Sequence, residues 1–473
     1  MNSQIKNIVF LAFLNILFSN VLLVPENYSS IQEAINSSAQ NDTVLVGPGL
    51  YVENLFINNI SISIVSSDGA NNTIIDGSNN NSVININSSG NNVLINGFTV
   101  KNGVGDLFAS GSRYGGGIIS RNTILTLDSL IVENNESFAG GGVCIYDMEP
   151  SSTQSIIKNS IIKNNIASEG GGVFVINQSL DIINSTIDGN GMIPFGSGGG
   201  VQALAANINL LNTNLINNHS RFGGGIYIGS SVSSIEKTII SNNISDSKGG
   251  GIWVGSDSNL DFSETLITDN FSDGFGGGVF ISSANLFIDK STIANNIVTA
   301  NVVGAGLYIN QGLVNVSNSI VYFNRIEGNN SINYNLGVDS SILFNSYNIE
   351  YSNIEGNEDL LPLSTGVIYD NPNFDDNSYF LLETSPCIDS GNPLYTDPDG
   401  TRLDIGAYYY NQNSCSILGD LNNDNTVNIL DVLLLVNIIL DSNSIYNMCN
   451  DINQDTYVDI LDVLVTINII FND

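Results

Sequence analysis

Two short motifs recur through the middle of this chain in fixed phase, at a spacing that averages 27 residues. The first is a glycine triplet followed by an aliphatic residue, starting at Gly115, Gly140, Gly170, Gly198, Gly223, Gly249 and Gly276. A variant, Gly304-Ala305-Gly306, extends the series. The second is a heptad that ends at Asn135, Asn165, Asn190, Asn218, Asn243, Asn270, Asn296, Asn324 and Asn357. Its fourth position is always aliphatic: Val132, Ile162, Ile187, Leu215, Ile240, Ile267, Ile293, Val321 and Ile354. Between the motifs, runs such as GGVFVINQSLDIIN alternate with period two, the pattern of strands, and no helix-period segment intervenes.

A single coil of strands and turns cannot bury its own apolar face, whereas stacked coils bury a continuous core. Parallel stacking sets each residue about 4.8 Å from its counterpart in the next coil. An asparagine column can then hydrogen-bond along the stack. Glycine triplets fit a tight turn that needs positive φ and close backbone approach. The expected fold is an all-β parallel β-solenoid with 27 residues per coil.

Composition narrows the function. Among 473 residues, 12 are basic and 46 acidic, a net charge of −34. That excludes nucleic acid, whose binding needs cationic side chains, and argues against anionic lipid surfaces. With 42% hydrophobic residues the chain is too apolar for a disordered acidic tail. One histidine and four cysteines exclude most zinc and haem sites and His-based triads. Residues 1–20, with Lys6 followed by an apolar run from Ile8 to Phe18, have the form of a signal peptide; a buried strand or short membrane anchor is the alternative. No second apolar stretch is long enough to span a bilayer, so the mature chain is expected to be soluble, secreted or at a cell surface, with no membrane span.

Residues 24–57, VPENYSSIQEAINSSAQNDTVLVGPGLYVENLFI, resemble the N-terminal cap of right-handed parallel β-helix proteins of the pectin-lyase-like superfamily. Ser30 as N-cap with Glu33 at N3 makes a capping box, and Ile31, Ala34 and Ile35 form one apolar face of a short helix. Residues 385–410 resemble the closing segment of secreted bacterial β-helix proteins. In it Asp397, Asp399 and Asp404 read either as a capping turn or as a calcium site. The resemblance implies a β-helix over residues 21–410 and leaves the activity open, since lyases, hydrolases, esterases and adhesins share this fold.

Residues 420–440 and 451–471 are internal repeats, identical at 12 of 21 positions. Oxygen side chains fall at loop positions 1, 3, 5, 9 and 12: Asp420, Asn422, Asp424, Asn428 and Asp431, then Asp451, Asn453, Asp455, Asp459 and Asp462. Position 7 supplies a backbone carbonyl, from Thr426 and Tyr457. This is the ligand spacing of an EF-hand-type Ca²⁺ loop. Position 6 departs from it, with Asn425 and Thr456 in place of glycine. Two such loops, each with an exiting helix and no entering one, resemble a type I dockerin domain over residues 419–473, after a linker at 411–418. The resemblance implies two Ca²⁺ sites and a cohesin-like or other protein partner. Positions 10 and 11, often Ser/Thr-like in cellulosomal dockerins, are Ile429-Leu430 and Ile460-Leu461. Cys415 and Cys449 stand just before the two loops, which in a secreted chain suggests a disulfide. Cys144 and Cys387 lie many coils apart and read as separate buried residues.

Chemistry on the solenoid is harder to place. His219 and Arg221 precede Gly223, Asp246 and Lys248 precede Gly249, and Asp273 precedes Gly276. Adjacent coils would group them. Arg221, Asp246, Lys248 and Asp273 are thus candidate catalytic residues, with Asp246 and Asp273 as acid/base or metal ligands and Arg221 or Lys248 as base or clamp. The competing reading is a solvated turn column with incidental ion pairs. Tyr227 and Trp253 either stack on sugars or occupy ordinary strand positions. Three functions stay open: a dockerin-tethered hydrolase or lyase of polysaccharide, a noncatalytic adhesin or display protein, and a structural stalk. Dockerins commonly attach glycan-active domains to cohesin scaffolds, which favours a polysaccharide-associated role.

Overall fold

The computed structural model describes residues 19–472 except 149–152, 300–303, 329–334, 340–345, 357–363, 376–377, 413–417, 423–425, 441–449, 454 and 456. The segment read as a signal peptide, up to residue 18, lies outside the described residues, as do Cys415 and Cys449.

The coil beginning at Gly170 shows the plan. Its strands are Val173–Ile176, Ser179–Ile183, Thr186–Asp188 and Gly191–Ser197. Each pairs in parallel with the next coil: Val173 with Val201, Leu180 with Ile208, Thr186 with Asn214 and Gly191 with His219. Repetition builds sheets of 22, 12 and 7 strands. The largest makes two faces of the coil, joined where Val279–Asp289 and Leu307–Ser317 each run through both. Alternation sends Val173, Val175, Leu180, Ile182 and Ile187 into a lumen closed to solvent. All nine aliphatic fourth positions of the heptads belong to that core. The fold is the parallel β-solenoid the periodicity predicts.

The two motifs meet inside the coil. Asn218 is fully buried and every polar group on its side chain is used. Its Nδ2 donates to Asn243 Oδ1 at 3.0 Å and to the Ile187 carbonyl at 2.9 Å, while its Oδ1 accepts from the Asn190 backbone N–H and Nδ2 at 3.0 and 3.1 Å. The same bonds run from Asn135 to Asn324. The last rung differs from expectation. Asn324 donates to Asn335, from an inserted segment, and Asn357 lies outside the described residues. The third glycine of each triplet leaves room for the ladder: a Cβ on Gly225 would sit 3.1 Å from Asn243 Nδ2 and 2.7 Å from the Gly251 carbonyl. The first glycine, Gly223 for example, turns the corner at φ +63°. Other corners use asparagine: Asn164, Asn184 and Asn217 adopt φ values between 49° and 57°. In an Asn-Asn doublet the first residue bends the chain and the second joins the ladder.

The N-terminal end is covered. Helix α1, Ile31–Ser37, buries Ile31, Ala34 and Ile35. Ser30 Oγ accepts from the Glu33 N–H, while the Glu33 carboxylate turns back to Ser29 rather than to Ser30. Glu53 accepts from the Ile31 and Gln32 N–H groups, so the first coil itself caps the helix. Near the C-terminal end, the closing segment lies along the 12-stranded sheet. Leu381, Cys387 and Ile405 pack on Ile320 and Tyr322. The Tyr379 hydroxyl reaches Thr268, Asn295 and Asp269. Cys144 and Cys387 are both buried and free.

The three aspartates of that segment are engaged by its own backbone. Asp397 accepts the Asp404 N–H, Asp399 accepts those of Thr401 and Gln412, and Asp404 accepts those of Asp389 and Tyr410. This is the capping-turn arrangement. Burial and the neighbouring charges of Asp404 and Asp399 push Asp397 up to about 7. Burial, with Asp389 and Asp399 nearby, pushes Asp404 to about 6.

Replacing Asn218 by alanine orphans two buried donors of Asn190, and at 1–3 kcal/mol for each lost partner it is expected to cost about 2–6 kcal/mol. Thermal or denaturant unfolding measures this, with Asn214→Thr at an exposed strand position as the near-neutral control. A raised carboxylate pKa means the folded state binds more protons than the unfolded one between pH 4 and 7, so stability falls as pH rises through that window. Asp397→Asn removes this penalty. Its thermal midpoint relative to wild type should rise between pH 4 and pH 8; a gap independent of pH would contradict the assignment.

Candidate functional site

The strands His219–Phe222 and Ile244–Lys248 pair with a bulge, Ser220 facing Ser245 and Phe222 facing Lys248. Asp246 and Ser247 therefore oppose the single residue Arg221, which aims side chains out of the ladder. Ser245 Oγ holds the bulge by accepting the Lys248 N–H at 2.8 Å and donating to the Arg221 carbonyl at 2.7 Å. His219 Nε2 lies 2.7 Å from Asp246 Oδ1, both side chains about a third exposed. Ser245 pairs with Ser272, so Asp273 follows at the matching position of the next coil.

The cations point elsewhere. The Arg221 guanidinium lies over the Phe222 ring at 5.1 Å, and Lys248 Nζ lies over Phe280 and Phe275 at 4.9 and 5.7 Å. Among the described residues, no ion pair joins Arg221 or Lys248 to Asp246 or Asp273. The structure thus brings His219 to Asp246, sets Asp273 one coil away, and turns both cations onto aromatic rings.

Beside this edge, Tyr227, Trp253, Phe280 and Tyr308 occupy one outward column of successive coils. Tyr227 and Trp253 stack at 4.1 Å and 4°, Trp253 and Phe280 at 6.4 Å and 18°, Phe280 and Tyr308 at 5.7 Å and 3°. A sugar ring stacks on an aromatic face, and both faces of Trp253 are covered by its neighbours. The column is an aromatic ladder packed ring on ring, with Phe280 and Tyr308 buried, so the sugar-stacking reading of Trp253 is set aside. Further along, burial pushes the Glu169 carboxyl up against the opposing effect of its hydrogen bond with Gln202.

The C-terminal repeats place each loop ahead of a helix, α2 at Ile429–Leu440 and α3 at Ile460–Asn472. Asp431 and Asp462, in the first helical turns, are fully buried, and Asp420 and Asp451 nearly so. The two position-12 carboxylates work alike. Asp431 accepts the N–H groups of Leu421, Asn422 and Asn428. Asp462 accepts those of Asn453 and Asp459. Each ties the start of its loop to its end. Asp455 accepts the Tyr457 N–H and gives its own to Asp451 Oδ1. The Tyr457 side chain is exposed, as befits a residue offering only its carbonyl. Asp424, Asn425 and Thr456 lie outside the described residues.

The donor chemistry fits a hard cation. All side-chain candidates are carboxylate or amide oxygens, the preference of Ca²⁺ rather than zinc. The chain has no Lys, Arg or His after Arg402, so the module's own sequence supplies no cationic side chain for its buried aspartates. Among the described residues no three acidic, His or Cys side chains are close enough to hold a metal by themselves. Position 12 is Asp in both loops, shorter than the Glu of an EF-hand. Between the helices, Val432, Leu435, Ile452 and Val463 form a small core. Outside it, Ile429, Leu430, Leu433, Ile460, Leu461 and Leu464 are all exposed.

No match is found among curated proteins. Among solved structures the chain is similar to a pectate lyase at 11% identity, over 83% of this chain and 97% of that one, with a TM-score of 0.39. It is similar to a pectin methylesterase from carrot at 14% identity, over 52% and 81%, with a TM-score of 0.31. It is also similar to the catalytic unit of an α-1,3-glucanase from Streptomyces thermodiastaticus at 11% identity, over 74% and 69%, with a TM-score of 0.34. Residues 418–471 match the model of the type I dockerin domain. The matched residues are the paired loops and helices just described, and the C-terminal segment of this chain is a type I dockerin domain following a parallel β-solenoid.

Proposed function

We propose that this chain is a secreted bacterial protein whose solenoid binds or acts on polysaccharide, while its dockerin docks it in a calcium-dependent way onto a cohesin-like partner. The dockerin match over residues 418–471 carries the reading. Dockerins commonly attach glycan-active domains to cohesin scaffolds, and a rigid solenoid offers a long face to an extended chain. Among the described residues no helix is long and apolar enough to cross a membrane, which is consistent with attachment through a protein partner.

In this reading Asp420, Asn422, Asp424, Thr426, Asn428 and Asp431 hold one Ca²⁺, and Asp451, Asn453, Asp455, Tyr457, Asp459 and Asp462 hold the second. The ion supplies the positive charge that the module's own sequence lacks. The exposed Ile429-Leu430 and Ile460-Leu461 pairs give the partner-facing surface two similar apolar patches, one for each repeat. A disulfide between Cys415 and Cys449 would tie the module together in an oxidising compartment.

Glycan work splits into two readings. Hydrolysis or elimination would use the edge around Asp246, with His219 as its partner, and Arg221, Lys248 and Asp273 nearby. Noncatalytic binding is favoured by one observation: Arg221 and Lys248 lie over aromatic rings instead of pairing with Asp246 or Asp273.

Capture of cohesin-bearing partners should be strong in Ca²⁺ and lost with a chelator, and Asp431→Ala with Asp462→Ala should abolish it while leaving the solenoid's thermal transition in place. Calcium-independent capture would overturn the metal's role. A panel of plant and algal polysaccharides, assayed for unsaturated products by ultraviolet absorbance and for new reducing ends, separates lyase from hydrolase. Binding without product establishes the noncatalytic reading.

A further inference from the structure

The solenoid's regularity is broken near its N-terminal end by a hairpin, Asp106–Leu107 paired antiparallel with Arg113–Tyr114. Phe108 and Tyr114 fold over an outward apolar patch of Ile119, Cys144 and Phe174. Beyond the edge of that cover the hairpin walls a cavity of about 730 Å³, within the size range of small-ligand sites. Its lining holds one residue of each charge, Asp106 and Arg121, together with Asn85, Phe56, Phe108 and Met148.

The polar groups in it are held from several directions. Asp106 Oδ1 accepts the Ser82 N–H at 3.1 Å, and its Oδ2 accepts from Asn85 Nδ2 and lies 3.6 Å from Arg121 Nη2. Arg121 Nη2 donates to Asn85 Oδ1 at 2.7 Å, and the guanidinium sits 5.3 Å from the Phe108 ring centre. Arg121 Nε is buried without a partner. A guanidinium carries five N–H donors and a carboxylate about four acceptor sites, so this cluster retains capacity of both kinds. Phe56 stands at the mouth, 47% exposed, with its ring free of the aromatic stacking that covers Trp253.

We propose that this cavity binds a neutral sugar unit of a polysaccharide, with Asp106, Asn85 and Arg121 on its hydroxyls and Phe56 against its apolar ring face. The proposal rests on the polysaccharide-associated reading above and gives it a location. Adjacent hydroxyls donate and accept at once, which suits a carboxylate, an amide and a guanidinium fixed side by side. Charge decides against an acidic sugar. Arg121 is already neutralised by Asp106, and a second carboxylate would have to compete with it inside a molecule of net charge −34.

The test is calorimetric titration of the full chain in Ca²⁺ with cellohexaose, xylohexaose, mannohexaose, laminarihexaose and hexagalacturonate. The variants are Phe56→Ala, which sits at the surface, and Arg121→Gln; Val232→Ser, exposed on another coil, is the control. At least one neutral oligosaccharide should bind wild type and Val232→Ser alike. Phe56→Ala should weaken it tenfold or more with an unchanged thermal midpoint, and Arg121→Gln should weaken it further. Neutral binding indifferent to both variants overturns this site while the polysaccharide reading stands. Preference for hexagalacturonate overturns the neutral-sugar assignment. No binding to any of the five, together with no product or binding on the polysaccharide panel, overturns both.

Discussion

The hydrogen bonding of one buried amide column sets the geometry of the solenoid from Asn135 to Asn324. Parallel strands alone would tolerate slippage, because backbone ladders look the same at every residue. The asparagine column does not. Each amide must find the next amide, the preceding backbone carbonyl and the space above a glycine, and a slipped coil would leave buried donors without partners. Asparagine and glycine therefore recur in fixed phase because they touch. Once that column is aligned, every other position falls into a column too: aliphatic in the lumen, left-handed at the corners, aromatic beside the glycine turn.

Column geometry also governs charge. Like charges stacked one coil apart would repel, and four of the solenoid's lysines avoid this by answering an acid on the preceding coil. Lys101 meets Asp76, Lys158 meets Asp128, Lys163 meets Glu133 and Lys290 meets Glu264. The Lys290 contact, at 2.6 Å, is close enough to hold Glu264 below its usual range although burial works against it. The dockerin has no such recourse. It carries buried aspartates and no basic residue of its own. The solenoid pairs part of its charge from coil to coil, whereas the module's own sequence offers its buried aspartates no basic side chain.

What could be read from the sequence follows this division. Periodic features were readable because each residue repeats its neighbour's environment: the coil length, the ladder, the aliphatic column and the glycine turn. The capping helix and the paired loops were readable because local hydrogen bonding dictates their spacing, as at Ser30, Asp431 and Asp462. Grouping His219 with Asp246 needed only the register. Where their neighbours' side chains point was beyond reach, since the Phe222 ring in its own strand takes Arg221 and rings of the next coil take Lys248. The final rung at Asn335 escaped the pattern because an insertion, not a repeat, delivers it. The hairpin from Asp106 to Tyr114 left no periodic signal at all. Asn85, Asp106 and Arg121 come from three separate stretches of chain and meet only through stacking.

That last failure explains where specificity resides in such a molecule. A regular solenoid surface is translationally uniform, so it offers the same contacts at every coil and can grip an extended polymer without choosing a position. Choice requires a break in the uniformity. In this chain the antiparallel hairpin supplies one, and it stands where the outward column passes from Cys144 and Ile119 to Asn85 and Phe56. There the Phe56 ring is left with an open face, and paired charges cancel within the cavity instead of adding to the surrounding negative field. The interruption that made this region unreadable as a repeat is what gives it the means to distinguish one ligand from another.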